Sequence, residues 1–136
     1  MFAGLIPFAL GAIAAWFEFT AWWVFPDVPT ALALYALAIA SFMSGIHWAI
    51  AQTHAGQSGL LLHSNVMVVL PWVIFLVSGD SAIFYLCLIW VFIKQYLVDR
   101  MLVADGTFSS AYLTDRLVVT SIVCFMILSV AVFKLM

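Results

Sequence analysis

The sequence contains very few charged residues. Only 7% of its 136 residues are charged, four basic and six acidic, whereas about a quarter of an ordinary soluble domain is charged. So few charges cannot provide the surface that a 15.0 kDa chain would need in water. With 68% apolar residues and a mean hydropathy of +1.25, the composition predicts a surface covered by lipid. The net charge of −2 argues against nucleic acid as a partner, because binding nucleic acid requires a basic face.

Cysteine is also scarce, and the two cysteines carry no recognisable pattern. Cys87 and Cys124 both lie inside apolar runs, without a CxxC pair or the Cys/His spacing of a zinc site. We therefore interpret them as small apolar side chains rather than as a disulfide or zinc framework. The first apolar run is preceded by no Lys or Arg, so it lacks the charged region of a signal peptide. We expect that run to be a permanent membrane span.

The sequence is rich in long apolar runs. A helix needs roughly 20 apolar residues to cross the hydrocarbon core of a bilayer, and the runs are continuous rather than alternating, which favours helices over strands. We predict an all-α, polytopic integral membrane protein, a compact bundle of five transmembrane helices that forms one domain over residues 1–136. The polar SGDS turn between the third and fourth runs predicts an antiparallel hairpin. The predicted spans are residues 2–25, 30–51, 60–77, 82–103 and 113–135.

The positions of the basic residues predict an orientation. Arg100 and Arg116 flank the loop between the fourth and fifth runs, and Lys94 lies a turn or two inside the fourth. Basic residues near span ends favour the cytoplasmic side, so this loop is predicted to be cytoplasmic, or to face the matrix in a mitochondrion. The N-terminus is then cytoplasmic and the C-terminus outside, with Lys134 as the opposing charge at the outer end.

The second run contains a stripe of small residues with one aromatic residue. Ser41, Ser44, Gly45 and Trp48 share one side of a helix, and Ser41 and Gly45 form a small-xxx-small pair that lets another helix approach closely. Packing inside the monomer, a homo-oligomer interface and a ligand groove all remain open. In the third run, Pro71 removes one backbone hydrogen bond and predicts a kink.

Polar residues gather in the predicted cytoplasmic half of the bundle. Ionisable groups within a span are expensive and mark functional sites by default. A structural alternative is that Lys94 extends to the interface, while Asp99 pairs with Arg116 and Arg100 with Asp115 across the fourth and fifth helices. The candidate functional cluster consists of His47, Gln52, Lys94, Gln95, Asp99 and Arg116.

No catalytic or metal-binding motif is present, and we predict no catalytic residues and no cofactor. The sequence has no Gly-rich phosphate loop, no HExxH and no GxSxG. His54 and His63 are the only histidines placed to share a metal across the second loop, and they have no further ligand at a suitable spacing. His47 is predicted to form a hydrogen bond instead. Glu18, in the first run, is either interfacial or a proton carrier.

Several short stretches follow one another in a recognisable order along the chain. They are GLIPF at residues 4–8, Tyr35 followed by SFMSGIHW at 41–48, LPW at 70–72, Asp99, and the pattern of Tyr112, Arg116 and Thr120. Together they resemble the small bacterial and mitochondrial membrane protein family that includes transmembrane protein 69. This resemblance implies a five-span architecture in an energy-transducing membrane, either the bacterial or the mitochondrial inner membrane. It implies no established activity, substrate or cofactor.

Three functions are compatible with the sequence. The first is an accessory, scaffold or assembly subunit that packs against a larger membrane complex, which the short loops and missing catalytic motifs favour. The second is a small, oligomeric transporter or channel that uses the polar cluster. The third is a cofactor-bearing or lipid-modifying enzyme. Besides the bilayer, the expected partners are thus a larger membrane complex or further copies of the chain. Convergence of the polar residues on a water-accessible cavity would favour transport.

Overall fold

A computed structural model describes residues 2–17, 28–54 and 58–136, and nearly all of these residues are helical. A 3₁₀ turn at Phe2–Gly4 leads into the first α-helix. The described chain contains no strand, which confirms the predicted all-α fold class. The helices are α1 (Leu5–Phe17), α2 (Val28–Thr53), α3 (Ser58–Ser78), α4 (Ala82–Ala104) and α5 (Ser110–Phe133).

Four of these helices, α2 to α5, are long and apolar enough to cross a membrane. In the described chain α1 has 13 residues, which corresponds to about 20 Å and is shorter than a bilayer core of about 30 Å. The rest of the predicted first span, together with Glu18, lies outside the described residues. The structure therefore supports a membrane protein with four candidate spans, and the fifth span stays a prediction.

Two tight turns reverse the chain between α3 and α4 and between α4 and α5. Gly79 and Gly106 adopt φ values of 62° and 78°, which a side chain would disfavour. Ser81 and Ser109 then cap α4 and α5, because their side chains accept hydrogen bonds from the backbone N–H groups of Phe84 and Tyr112. These turns place consecutive helices side by side in opposite directions, as predicted for α3 and α4.

The first helix packs against both α2 and α5. Tyr35 on α2 donates a hydrogen bond to the Gly4 carbonyl at 3.1 Å, and its ring meets that of Phe8 edge-on. At the other end of α1, the ring of Trp16 lies 5.7 Å from that of Phe133 near the end of α5. Helix α1 therefore runs antiparallel to α2 and in the same direction as α5.

The core is centred on α4. Helix α4 contributes five fully buried apolar or aromatic side chains, Phe84, Tyr85, Leu88, Val91 and Phe92. By contrast, α3 buries only Ser64, Met67 and Pro71 and exposes most of its apolar residues. The α3 helix is assigned continuously through Pro71. The predicted kink there stays a prediction.

The predicted packing stripe on α2 is wrong for the monomer. Gly45 is exposed, and a Cβ atom added there would meet nothing within 4 Å. Trp48 is 48% exposed, and the Ser41 hydroxyl bonds back to the carbonyl of Leu37 in the same helix. Only Ser44 of the four is buried. The reason is that α2 turns a different face inwards, an alanine ridge at i, i+3 and i+7 formed by Ala33, Ala36 and Ala40.

Candidate functional site

A buried ionic network joins α2, α4 and α5. His47 Nε2 lies 2.7 Å from Asp99 Oδ1, and the Arg116 Nε–H donates to Asp99 Oδ2 at 2.8 Å. His47 and Asp99 are fully buried, and Arg116 is 4% exposed. The carboxylate of Asp99 thus receives one partner on each oxygen, and both partners come from other helices. These contacts confirm the predicted Asp99–Arg116 pair and the predicted hydrogen bond of His47.

The hairpin of α4 and α5 explains why Asp99 and Arg116 meet. Asp99 lies near the end of α4 and Arg116 near the start of α5, so the turn between them brings both to the same depth. The second predicted pair, Arg100 with Asp115, is wrong: both residues are exposed, and among the described residues they form no ion pair with each other. Neighbouring positions on a helix point about 100° apart, so the inward direction of one pair turns the other outward.

One turn before Asp99, Gln95 links α4 to α2. Its Nε2 donates to the carbonyl of Ala40 and to the Ser44 hydroxyl, both at 2.8 Å. In the described structure, no hydrogen bond connects Ser44 with His47, whose Nε2 is occupied by Asp99. The arrangement is therefore not that of a Ser–His–Asp triad, which requires a nucleophile bonded to the histidine.

The same region contains buried polar atoms without a protein partner. About 90% or more of the buried polar groups in proteins are hydrogen-bonded, so such a concentration requires an explanation. We call the seven residues His47, His63, Gln95, Asp99, Tyr112, Arg116 and Thr120 the buried polar cluster. Among the described residues, the atoms without a hydrogen bond are His47 Nδ1, His63 Nε2, Gln95 Oε1, Arg116 Nη2 and Thr120 Oγ1. The Tyr112 hydroxyl forms no hydrogen bond of good geometry but lies close to the Asp99 carboxylate.

Two local arrangements organise these atoms. The rings of His47 and His63 lie side by side, with centroids 5.7 Å apart. Tyr112, Arg116 and Thr120 follow one another at intervals of four residues, which places them on one face of α5. The cluster therefore extends from α3, through α2 and α4, along the first three turns of α5.

Two cavities adjoin opposite sides of the cluster. The end cavity, of about 360 Å³, lies between α3 and α4 and is bordered by His63 and by the exposed residues Gly59 and Asp105. The lateral cavity, of about 190 Å³, lies among α1, α2, α4 and α5 and is bordered by Arg116 and Thr120. The buried polar cluster thus separates a cavity near the end of the bundle from a cavity within it.

The structure gathers four of the six candidate residues and leaves two outside. His47, Gln95, Asp99 and Arg116 belong to the buried polar cluster, whereas Gln52 and Lys94 are exposed. The Lys94 ammonium lies 5.9 Å from the centroid of the Trp90 ring, one turn nearer the start of α4. Because helical side chains lean towards the N-terminus of their helix, this contact is a natural one for lysine.

The two candidate metal ligands, His54 and His63, have different surroundings. His54 is exposed, and its Nδ1 lies near the Ile50 carbonyl and the Thr53 hydroxyl of its own helix. His63 instead faces the ring of His47. In the part of the chain that the structure describes, no group of three His, Cys, Asp or Glu residues is arranged to hold a metal ion.

Three members of the cluster are not among the six candidate residues predicted from the sequence. The sequence predicts His63 only as a possible metal ligand, and Tyr112 and Thr120 belong to the pattern that carries the family resemblance. The four-residue spacing of Tyr112, Arg116 and Thr120 was a usable signal, because it predicts one shared helix face. The exposed ion pair between Lys134 Nζ and Asp80 Oδ2, at 2.6 Å, was also not anticipated; it closes the opposite end of the bundle.

These features define the class of the protein: an all-α membrane bundle with an ionic network in its interior. No curated protein and no solved structure matches the chain significantly. A family model does match, over residues 1–132, and its description is protein of unknown function (DUF3429). Because the match covers nearly the whole chain, the protein belongs to this family.

Proposed function

We propose that the protein is a small membrane transporter whose cycle binds and releases a proton at the His47–Asp99–Arg116 network. The observation that carries this proposal is the complete burial of His47 and Asp99 inside an apolar bundle. Ionisable groups at such depth are costly, and in membrane proteins they mark proton and substrate pathways. A purely structural network would leave fewer polar atoms around it without partners.

Histidine is the group in the network best suited to exchange a proton. Its Nε2 is bound to Asp99, whereas its Nδ1 is buried without a partner and is therefore free to accept a proton. Arginine keeps its positive charge, so Arg116 balances the Asp99 carboxylate in both protonation states of His47. His63, with its ring next to that of His47, is the natural donor or acceptor on the side of the end cavity.

The cavities give the network two openings, both in the half of the bundle that carries the turn between α4 and α5. Protons enter or leave through the end cavity, where exposed residues border His63. The lateral cavity borders Arg116 on the other side of Asp99. Of the six candidate residues, Arg116 borders the lateral cavity, and His63, predicted only as a possible metal ligand, borders the end cavity. These two positions favour transport over an accessory role.

Proton movement into liposomes tests the proposal. The purified protein is reconstituted, a membrane potential is imposed, and the internal pH is followed with a trapped dye. We expect the wild type to accelerate acidification, and Asp99→Asn to reduce the rate to that of empty liposomes, because a neutral amide cannot stabilise a charged His47. Asp115→Asn, an exposed aspartate next to Arg116, is the matched control and should retain the wild-type rate.

The comparison requires that the wild type and both variants are equally well folded. Gel filtration and the melting temperature of each purified protein establish this. A wild-type rate no greater than that of protein-free liposomes would contradict transport. So would an Asp99→Asn rate equal to that of the wild type.

A second candidate function, an accessory subunit of a larger membrane complex, is favoured by Lys94. This lysine is exposed among the apolar side chains of α4, ten residues from the helix end at Ala104. A charge on the outer surface of a span is costly in lipid and would be stabilised by an acidic group of a partner subunit. The same liposome experiment separates the two functions, because an accessory subunit would carry no proton flux of its own.

The membrane and orientation belong to this proposal as well. We place the protein in a bacterial or mitochondrial inner membrane, with five spans, the N-terminus in the cytoplasm or matrix and the C-terminus outside. The basic residues near the turn between α4 and α5 support this orientation. The relationship to transmembrane protein 69 is proposed on the motifs named above, two of which, the GLIPF segment and Tyr35, are in contact through the Gly4 carbonyl.

A further inference from the structure

The lateral cavity has the features of a ligand site with a polar end. Most of its wall is apolar, with Phe8, Met43, Phe92 and Val123 among the lining side chains. Ligand sites are commonly apolar pockets in which a small number of placed polar groups fix the orientation of the ligand.

Two unpartnered hydrogen-bonding groups border this cavity. Arg116 and Thr120 are 4% and 6% exposed, and the Arg116 Nη2 and Thr120 Oγ1 atoms have no hydrogen-bond partner among the described residues. They lie one turn apart on the same face of α5. Both atoms are buried behind the cavity wall, so they become available to the same ligand group when the lining side chains shift. Because guanidinium is suited to carboxylates, and a hydroxyl also donates to oxygen, the pair is suited to a carboxylate head.

The volume of the lateral cavity limits the size of the apolar part of the ligand. An engineered apolar cavity of about 150 Å³ is known to bind benzene. A cavity of about 190 Å³ therefore has room for a body of that size with one small polar substituent.

The cavity is bordered on its outer side by a residue that faces the bilayer. Phe42, which belongs to the lining, is 68% exposed on the surface of α2. A ligand that partitions into lipid can therefore reach the cavity from the side, past Phe42, while its carboxylate is drawn towards Arg116.

We infer that the lateral cavity binds a small amphipathic carboxylate, with the carboxylate on Arg116 and Thr120 and the apolar body among Phe8, Phe92 and Val123. The site requires only the cavity and its two donors. The further claim that this carboxylate is the transported substrate rests on the proposed function. In that case the bound anion offsets the net positive charge that the network acquires when His47 takes up a proton, so the carboxylate favours proton uptake but is not required for the proton flux measured in liposomes.

Equilibrium binding to the purified protein in detergent tests the site, with benzoate as the probe and benzamide as its neutral analogue of equal size. Calorimetric titration should give saturable binding of benzoate to the wild type, at least tenfold tighter than that of benzamide. Val123→Phe fills the cavity and should abolish binding, whereas Val118→Phe, on the exposed side of the same helix, should leave it unchanged.

A milder variant guards against misfolding of Val123→Phe. Thr120→Val keeps the shape of the side chain and removes the hydroxyl, and it should weaken benzoate binding by about three- to tenfold, as expected for one hydrogen bond. The inference would be overturned if the heat of benzoate titration does not saturate, or if benzamide binds as tightly as benzoate. It would also be overturned if both Val123→Phe and Thr120→Val bind benzoate as the wild type does.

The outcome is separate from that of the transport experiment. Saturable benzoate binding without proton flux would keep the site and remove the transporter, whereas proton flux without benzoate binding would keep the transporter and remove this substrate class.

Discussion

Asp99 has the most demanding environment of the described side chains. It is fully buried and carries two charge-assisted contacts, to His47 and to Arg116, at 2.7 and 2.8 Å. A buried pair of this kind contributes little net stability, because removing both charges from water costs about as much as their attraction returns. Losing one partner is different, since the other charge is then left buried and uncompensated. The network is therefore sensitive to single substitutions and tolerant of paired ones.

Arg116→Ala should accordingly destabilise the protein by about 3–5 kcal/mol, because it leaves Asp99 without its permanent positive partner. The free energy of unfolding in detergent measures this loss. Arg100→Ala, an exposed arginine one position after Asp99, is the control and should change stability by no more than about 0.5 kcal/mol.

The double variant Asp99→Ala/Arg116→Ala should recover part of the loss. A thermodynamic cycle over the two residues measures their coupling energy directly. Additive effects would show that the ion pair is not coupled in the folded protein.

Among the helices, small residues decide which faces approach closely. On α2 the inward ridge consists of alanines. Beside this ridge, Gly11 on α1 lies against Leu32, where a Cβ atom on Gly11 would stand 2.8 Å from Leu32 Cδ1. Without a strong hydrophobic driving force in lipid, such close packing is a main source of attraction between helices. Gly11 therefore belongs to the packed contact between α1 and α2, and Gly45 does not.

This difference predicts opposite outcomes for two equal substitutions. Gly11→Leu should destabilise the protein by about 1–3 kcal/mol or more, because the added side chain must displace Leu32. Gly45→Leu should be neutral or slightly stabilising in the monomer, because leucine favours a helix by up to about 1 kcal/mol over glycine. Melting temperatures of the two purified variants make the comparison, and a loss at Gly45 equal to that at Gly11 would indicate that a second chain covers Gly45.

For the molecule as a whole, the two ends of the bundle differ in charge. The end that carries the turn between α4 and α5 has Arg100 and two acidic residues, Asp105 and Asp115, on its surface, whereas the opposite end has the Lys134–Asp80 pair. Basic residues, rather than net charge, set orientation, and Lys134 is the one basic residue of the described chain at the opposite end. The larger number of basic residues towards the first end supports the proposal that this end faces the cytoplasm.

Labelling of single cysteines in intact cells checks this orientation. In a variant with Cys87 and Cys124 replaced by alanine, we expect an impermeant maleimide to label Leu135→Cys readily, because Leu135 is 73% exposed at the outer end. Ala111→Cys, exposed in the first turn of α5, should react only after the membrane is permeabilised. Labelling of Ala111→Cys alone in intact cells would invert the topology.

Composition and short-range pattern were sufficient for the class of fold and for one contact of the site. Hydropathy depends only on the local sequence, so the apolar runs predicted α2 to α5 to within a few residues. The Asp99–Arg116 pair also follows from local information, because a short turn fixes the depth of two residues on adjacent helices. The sequence also gives His47 and Gln95 as candidate residues, but it does not distinguish these two buried residues from the exposed candidates Gln52 and Lys94.

The remaining contacts depend on how each helix is rotated about its axis. A nearly all-apolar helix has no polar side to identify its lipid-facing surface, so the sequence could not show that Gly45 points outward while Ala36 and Ala40 point inward. The rotations of α2 and α3 bring the rings of His47 and His63 together, and the rotation of α4 turns Lys94 away from the network. Packing of all the helices together sets these rotations, and the cavities beside the buried polar cluster arise from the same packing.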